Sequence, residues 1–223
     1  MNLVALDTST EYCSVALHCG FSVLSAGCVA GQRHSELLLP MLDGLLREAD
    51  MTLAQLDGVA YGAGPGSFTG LRIACSIAQG LAFAIDVPVV GVSTLMALAQ
   101  GQAGERVVAC LDARMGEIYH AAFRRENDAW RSVCEPGVCR PEQAPPLTGA
   151  GWTGCGSGFA AYPEQLQARY AGQLERIDAA AVPHAAHIAA LAGAMLARGE
   201  GIGAELAAPI YLRDKVALKM HER

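Results

Sequence analysis

The sequence has few charged residues, few aromatic residues and no long uninterrupted apolar run. Charged residues make up 17% and aromatic residues 6% of the 223 residues, whereas hydrophobic residues reach 52%. Such an apolar composition excludes intrinsic disorder. The longest apolar stretch, residues 73–90, is interrupted by Gln79, Asp86 and Pro88, so we expect no membrane span, which requires about 20 apolar residues. The excess apolarity therefore predicts a large core or an interface with another protein.

The sequence also lacks an excess of positive charge, a cationic leader and a C-x-x-C motif. With 16 Lys and Arg against 22 Asp and Glu, the net charge of −6 excludes nucleic-acid binding by bulk electrostatics. No cationic residue precedes the first apolar run, which argues against a signal peptide and favours the cytoplasm. The eight irregularly spaced cysteines are typical of reduced cytosolic thiols. Cys134 and Cys139 have no second ligand pair, so we expect no zinc site there.

Hydrophobic periodicity predicts a first α/β lobe over residues 1–101. Strand-like runs at residues 3–6, 12–18 and 21–29 form a meander, and a helix follows at 36–49, with Ser35 as its N-cap. The other elements of this lobe are a strand at 56–61, a helix at 68–85, a strand at 88–92 and a helix ending near residue 101.

A Gly-rich boundary at residues 101–104 separates this lobe from a second, smaller lobe over residues 105–208. Its predicted elements are strands at 107–111 and 117–124 around a tight turn, a Pro- and Gly-rich segment at 134–158, and a helix at 184–196. Residues 209–221 are predicted to form a C-terminal helix that packs back on the first lobe, with its basic end solvated.

Each lobe opens with a strand that leads into an aspartate-containing turn. The first turn is Asp7-Thr8-Ser9-Thr10, and the second runs from Asp112 to Gly116. An aspartate followed by hydroxyl residues between two strands is how actin-like ATPases hold nucleotide phosphates. The repeated pattern predicts an α/β fold of two actin/hexokinase-like lobes, with mixed sheets flanked by helices. The first turn is either a weak or vestigial phosphate turn or an Asx turn that closes the first strand.

A glycine-rich loop at residues 62–70 connects a strand to a helix. Four glycines and a proline within nine residues require positive φ angles or close approach of the backbone. The loop ends at a helix N-terminus, where an anion could sit, but it lacks the Gly-Lys-Ser/Thr of a P-loop. Anion binding and tight strand-to-helix packing both remain open from the sequence.

The two long helices of the first lobe are unusually apolar. Apolar residues of the helix at 36–50 cover an arc of roughly 200°, about twice the stripe of a helix that packs on one core. This predicts a partner interface formed by Leu38, Met41, Leu42 and Leu45 of the first helix and by Gly70, Leu71, Ala74, Ala78 and Ala82 of the second. The alternative is that another element of the same chain, such as the C-terminal helix, covers them.

Five motifs in order closely resemble the bacterial TsaB (YeaZ) family over nearly the whole chain. They are Asp7-Thr8-Ser9-Thr10, His34-Ser35-Glu36, the run from Gly64 to Ile73, Gly91-Val92-Ser93-Thr94-Leu95, and Pro209 with Tyr211-Leu212-Arg213. The resemblance implies a non-catalytic scaffold that helps to form N6-threonylcarbamoyladenosine at position 37 of tRNAs reading ANN codons. It implies pairing with the catalytic paralogue TsaD, work with the ATPase TsaE, a homodimer in isolation, and contact with tRNA only through the complex. No tightly bound cofactor is implied for this chain alone, although ATP or ADP could bind at the complex.

The resemblance also bears on catalysis, because the related catalytic subunit carries a metal-binding His-x-x-x-His. In an ungapped alignment Thr94 and Leu98 occupy those positions, so we expect neither a metal nor catalytic residues. His184 and His187 are expected on a half-exposed helix face. The alternative function is an ATP-dependent small-molecule kinase of the same fold, for which residues 149–158 are a weak candidate adenosine pocket. A metallopeptidase would need ligands that the sequence lacks.

Overall fold

Sheet topology is the same in the two halves of the chain. The computed structural model describes residues 1–20 and 22–213. The first sheet contains β1 (Asn2–Asp7), β2 (Tyr12–Cys19), β3 (Ser22–Val29), β4 (Gly58–Gly64) and β5 (Val89–Ser93), in the order β3-β2-β1-β4-β5. Strands β1, β2 and β3 form the predicted antiparallel meander, and β4 and β5 run parallel to β1.

The second sheet repeats this arrangement around β6. It contains β6 (Arg106–Arg114), β7 (Glu117–Glu126), β8 (Ala129–Cys139), β9 (Trp152–Cys155) and β10 (Leu174–Asp178), in the order β10-β9-β6-β7-β8. As in the first sheet, an antiparallel meander lies on one side of the central strand and two parallel strands lie on the other. The repeat confirms the predicted duplicated actin/hexokinase-like fold.

Six helices are packed against the two sheets in the described part of the chain. They are α1 (His34–Glu48), α2 (Phe68–Ile85), α3 (Thr94–Gln100), α4 (Ser157–Ala161), α5 (Pro163–Arg169) and α6 (Ala185–Ala197). Helices α1 and α2 cover one face of the first sheet, and α6 covers the other face. Helix α3 packs on the second sheet, whose opposite face is covered by α4 and α5.

Several details differ from the sequence prediction. Helix α6 packs on the first sheet, although the predicted second lobe of residues 105–208 includes it. Helix α1 begins at His34, so Ser35 is not its N-cap. Strands β8, β9 and β10 and helices α4 and α5 were not predicted. The predicted helix over residues 209–221 is absent from 209–213, which are irregular, and its remainder lies outside the described residues.

The predicted partner interface on α1 and α2 is wrong for eight of its nine residues, because they are buried inside this chain. Those residues are Leu38, Leu42, Leu45, Gly70, Leu71, Ala74, Ala78 and Ala82, whereas Met41 is half-buried. The row Ala74, Ala78, Ala82 packs into the core below α2, together with Ala204 and Ala207. By its length and composition alone, α2 could cross a membrane. In the fold, the side of α2 that carries Ala74, Ala78 and Ala82 is buried in the core of the first lobe.

Candidate functional site

A cleft of about 840 Å³ lies between the two lobes. The two aspartate turns meet there, together with the start of α2 and the chain segment after Pro209. Its polar and charged lining includes Ser9, Thr10, Glu11, His34, Ser67, Asp112, Arg114, Ser157 and Arg213, and its apolar lining includes Leu71, Leu111, Met115 and Ile210. We call it the interlobe cleft, and it is the candidate functional site because both predicted turns contribute to it.

The first aspartate turn is locked by its own hydrogen bonds. Asp7 Oδ1 accepts from the backbone N–H of Ser9 at 3.1 Å and from its hydroxyl at 2.9 Å. The hydroxyl of Thr8 donates to the carbonyl of Gly70 at 2.7 Å. Of the four residues of the predicted phosphate turn, Ser9 and Thr10 line the cleft and Asp7 and Thr8 do not. This geometry supports the Asx-turn interpretation, while nucleotide binding at the turn stays a prediction.

The second aspartate turn repeats this hydrogen-bond pattern. Asp112 Oδ1 accepts from the backbone N–H of Arg114 at 2.8 Å, two residues further on, as Asp7 does with Ser9. Its carboxylate also pairs with the guanidinium of Arg114 at 3.1 Å and accepts from the Tyr162 hydroxyl at 3.2 Å. Unlike Asp7, Asp112 lines the cleft. The carboxylate that faces the cleft is therefore already engaged by side chains of the second lobe.

Burial changes the charge of Asp7. The side chain is completely buried, and desolvation raises the pKa of its carboxyl to about 7 although the bonds from Ser9 oppose the shift. Its Oδ2 has no hydrogen-bond partner among the described residues. A carboxyl that holds Mg²⁺ must be ionised and reach the ion. Asp7 is half protonated near neutral pH and does not line the cleft, so it is poorly placed to bind Mg²⁺ there.

We expect the stability of the protein to fall as pH rises through neutrality because of Asp7. The unfolded chain loses this proton near pH 3.8 and the folded chain near 7, so the stabilisation is complete below pH 3.8 and is lost by about pH 7. Between pH 5 and 8.5 the expected loss is about 2–3 kcal/mol. Urea unfolding at both pH values should show a smaller loss for Asp7→Asn than for the wild type. An equal pH dependence in the two proteins would contradict the assignment.

The glycine-rich loop is packed tightly against its neighbours. A Cβ atom added to any of its four glycines would lie too close to another group: 2.0 Å from Asp7 Oδ2 at Gly62, 2.5 Å from the Ile210 carbonyl at Gly64, 2.4 Å from the Ser9 carbonyl at Gly66, and 1.8 Å from the Thr8 carbonyl at Gly70. At the start of α2, the Ser67 hydroxyl accepts from the N–H of Gly70 at 3.3 Å. The close-packing interpretation therefore accounts for all four glycines, and no anion is needed to explain them.

The two positions aligned with metal ligands are used for packing. The buried hydroxyl of Thr94 donates to the carbonyl of Pro65 at 2.5 Å, and Leu98 is 1% exposed in the core between α3 and the second sheet. No group of three or more His, Cys, Asp or Glu side chains in residues 1–20 and 22–213 could hold a metal ion. Both cysteines of the 134–139 pair are free thiols in β8.

The two neighbouring histidines have a structural function at the start of α6. His184 Nδ1 accepts from the N–H of Ala186 at 3.1 Å and so caps the helix. The ring centroids of His184 and His187 are 5.8 Å apart, and burial lowers the pKa of both. Both side chains are half-buried, as the sequence predicts.

Sequence reasoning missed a buried polar pair in the second lobe. His120 Nε2 lies 2.8 Å from the Tyr170 hydroxyl, and burial lowers the pKa of His120 to about 4. Alternation of side chains along β7 marks His120 as a core position, which was the available signal. Residues 149–158, the candidate adenosine pocket of the kinase alternative, contain β9, and of this segment Ser157 lines the cleft.

Comparisons with known proteins agree with the resemblance carried by the motifs. The family model described as TsaD, tRNA N6-adenosine threonylcarbamoyltransferase, matches residues 28–220. The tRNA threonylcarbamoyladenosine biosynthesis protein TsaB of Escherichia coli is 39% identical, over 98% of this chain and 97% of its own. The protein of the same name from Haemophilus influenzae is 38% identical, over 98% and 96%.

A solved structure supports the same conclusion. YeaZ from Pseudomonas aeruginosa superposes with a TM-score of 0.88 at 44% identity, and the match covers 95% of this chain and 99% of that one.

Proposed function

The chain belongs to the TsaB family of tRNA threonylcarbamoyladenosine biosynthesis proteins, and we propose that it acts as a non-catalytic scaffold and activator. In this proposal it pairs with the catalytic paralogue TsaD, works with the ATPase TsaE in the cytoplasm, and meets tRNA only through the complex. The complex forms N6-threonylcarbamoyladenosine at position 37 of tRNAs reading ANN codons. The chain alone is a homodimer and holds no cofactor tightly, while ATP or ADP binds at the complex.

The observation that best supports the non-catalytic role is that Thr94 and Leu98 are buried in packing contacts. These residues align with the metal ligands of the catalytic paralogue. A hydroxyl that is committed to a backbone carbonyl and an aliphatic side chain in a core cannot ligate a metal at the cleft. The Asp7 carboxyl, which is completely buried and does not line the cleft, further supports a role without phosphoryl transfer.

The outward faces of α1 and α2 replace the buried row as the proposed surface for TsaD. These helices are neighbours, and their exposed side includes Leu39 and Phe83, which is 81% exposed. Gly44 and Gly80 are also exposed, with open space where a Cβ would be. Exposed apolar side chains next to small residues allow a partner helix to approach closely. The same two helices thus remain the proposed docking elements, but through their solvent-facing residues.

Reconstitution of tRNA modification tests the proposed function. TsaD and its accessory enzymes should modify tRNA with this chain present and lose most of that activity without it. Gly80→Arg should weaken binding to TsaD by at least about 30-fold, since blocking a central contact costs about 2 kcal/mol or more. Activity should fall in parallel when the concentration of this chain limits the reaction.

The matched control is Ala190→Arg, which places the same side chain at an exposed position of α6. This variant should bind and activate as the wild type does. Full activity in the absence of the chain would refute the scaffold role. Normal binding by Gly80→Arg would keep that role and move the partner to another surface.

A further inference from the structure

We infer that residues 207–213 form an interlobe strap, which is anchored along the first lobe and latched to the second lobe by Arg213. The strap holds the interlobe cleft at a fixed opening. This inference goes beyond the proposed function and does not rest on it, because it concerns the isolated chain.

The strap is fastened to the first lobe through its backbone. Its hydrogen bonds run from Gln79 Nε2 to the carbonyl of Ala207 at 3.1 Å, from the Tyr61 hydroxyl to the carbonyl of Ala208 at 2.9 Å, and from the N–H of Ile210 to the carbonyl of Ala63 at 2.7 Å. Tyr61 is fully buried, and the carbonyl of Ile210 lies against Gly64, where a Cβ would not fit. These contacts fix residues 207–210 to β4 and α2.

Side chains extend this anchor to the start of α2. Arg72 Nε donates to the Tyr211 hydroxyl at 2.9 Å, and the Arg72 guanidinium lies 3.9 Å from the centre of the Phe68 ring. The Phe68 and Tyr211 rings are 5.4 Å apart. Hydrogen-bonding, cation–π and aromatic contacts therefore hold Tyr211 on the first lobe.

Arg213 makes the contact with the second lobe. Its Nη1 donates to the carbonyl of Ala113 at 3.0 Å, and its Nη2 pairs with the carboxylate of Glu117. Ala113 lies in the second aspartate turn and Glu117 directly follows it, and the Arg213 side chain is 17% exposed. A largely shielded guanidinium that bonds both a carbonyl and a carboxylate is a strong, directional contact.

The two ends of the strap differ in strength. The first-lobe end combines backbone hydrogen bonds with a buried tyrosine, whereas the described second-lobe end depends on one side chain. Loss of the Arg213 contacts therefore releases the strap from the second lobe while residues 207–211 stay in place. The lobes then remain joined by α3, which packs on the second sheet and contacts α6. Motion of the lobes then takes place about the contact between α3 and α6 and about the covalent crossing at residues 179–184.

Residual dipolar couplings measured by NMR on the isolated full chain test the latch. In the wild type both lobes should fit one alignment tensor. In Arg213→Ala the degree of order of one lobe should fall by about twofold relative to the other, as expected for hinge motion between rigid bodies. Chemical shifts of the Ile210 and Ala63 amides should stay near their wild-type values, because the first-lobe anchor is retained.

The control is Arg114→Ala, since Arg114 lies in the same turn but pairs with Asp112 inside the second lobe. It should leave one shared tensor, and Glu117→Gln should loosen the lobes partway. A single tensor in Arg213→Ala would overturn the inference, as would equal loosening in the control. If Arg213→Ala does not fold, Glu117→Gln provides the test instead. A single alignment tensor for both lobes of Glu117→Gln would then overturn the inference.

Discussion

Ala78→Arg is expected to abolish folding of the isolated chain. The Ala78 side chain is 0% exposed and packs into the first-lobe core below α2, although the sequence predicts that it contacts a partner. An arginine there overpacks the core and buries a charge without a counterion. The expected loss exceeds about 4 kcal/mol, a large part of the roughly 5–15 kcal/mol that stabilises a typical domain. Circular dichroism and gel filtration should show an unfolded or aggregated protein.

Gly80→Arg is the matched control for this prediction. It lies two residues further along α2, is exposed, and has open space around its Cβ position. Its circular dichroism spectrum and urea midpoint should stay native-like, since arginine favours helix over glycine. If Ala78→Arg folded normally and lost only its binding to TsaD, the row from Ala74 to Ala82 would face a partner, and the structure of α2 would be wrong.

The interface prediction was wrong for a definable reason. The width of an apolar arc on a helix does not show which element covers that arc. In the fold the small-residue row of α2 lets the helix pack closely on its own lobe, and Ala204 and Ala207 cover more of the arc. The alternative left open by the sequence, cover by another element of the same chain, is what the structure contains. The surface of α1 and α2 that stays available to a partner is their solvent-facing side, which includes Leu39, Gly80 and Phe83.

The fold itself was predictable where periodicity and turn chemistry coincide. Helix α2 spans the predicted residues 68–85 because Ser67 caps its start and Asp86, in the left-handed region, ends it. The two aspartate turns predicted the duplication, and both turns use the same bond to the N–H two residues on. The strap was not predictable, because an irregular segment that bonds through backbone carbonyls has no periodic side-chain pattern.

Pocket chemistry was harder to predict than topology. The sequence contains Asp7 and the glycines of the loop at 62–70, but not the burial that decides their use. Burial raises the pKa of Asp7 and removes it from the cleft, while each glycine is required by a specific contact. The contact at Gly70 is the tightest of these. Its neighbour, the Thr8 carbonyl, is held in place because the Thr8 hydroxyl donates to Gly70 O at 2.7 Å and the Ser67 N–H donates to Ser9 O at 2.7 Å.

Gly70→Ala is therefore expected to destabilise the protein by about 3 kcal/mol or more. Overpacking typically costs about 1–3 kcal/mol, and here the added Cβ meets backbone atoms of Thr8, which hydrogen bonds hold in place. The measurement is the free energy of urea unfolding. Gly44→Ala makes the same change inside α1, where no atom lies within 4 Å of the added Cβ. It should stabilise by about 0.5–1 kcal/mol, since alanine favours helix. Equal stability of the two variants would mean that the loop can shift away from Thr8, and anion binding at the start of α2 would again be the better explanation of its glycines.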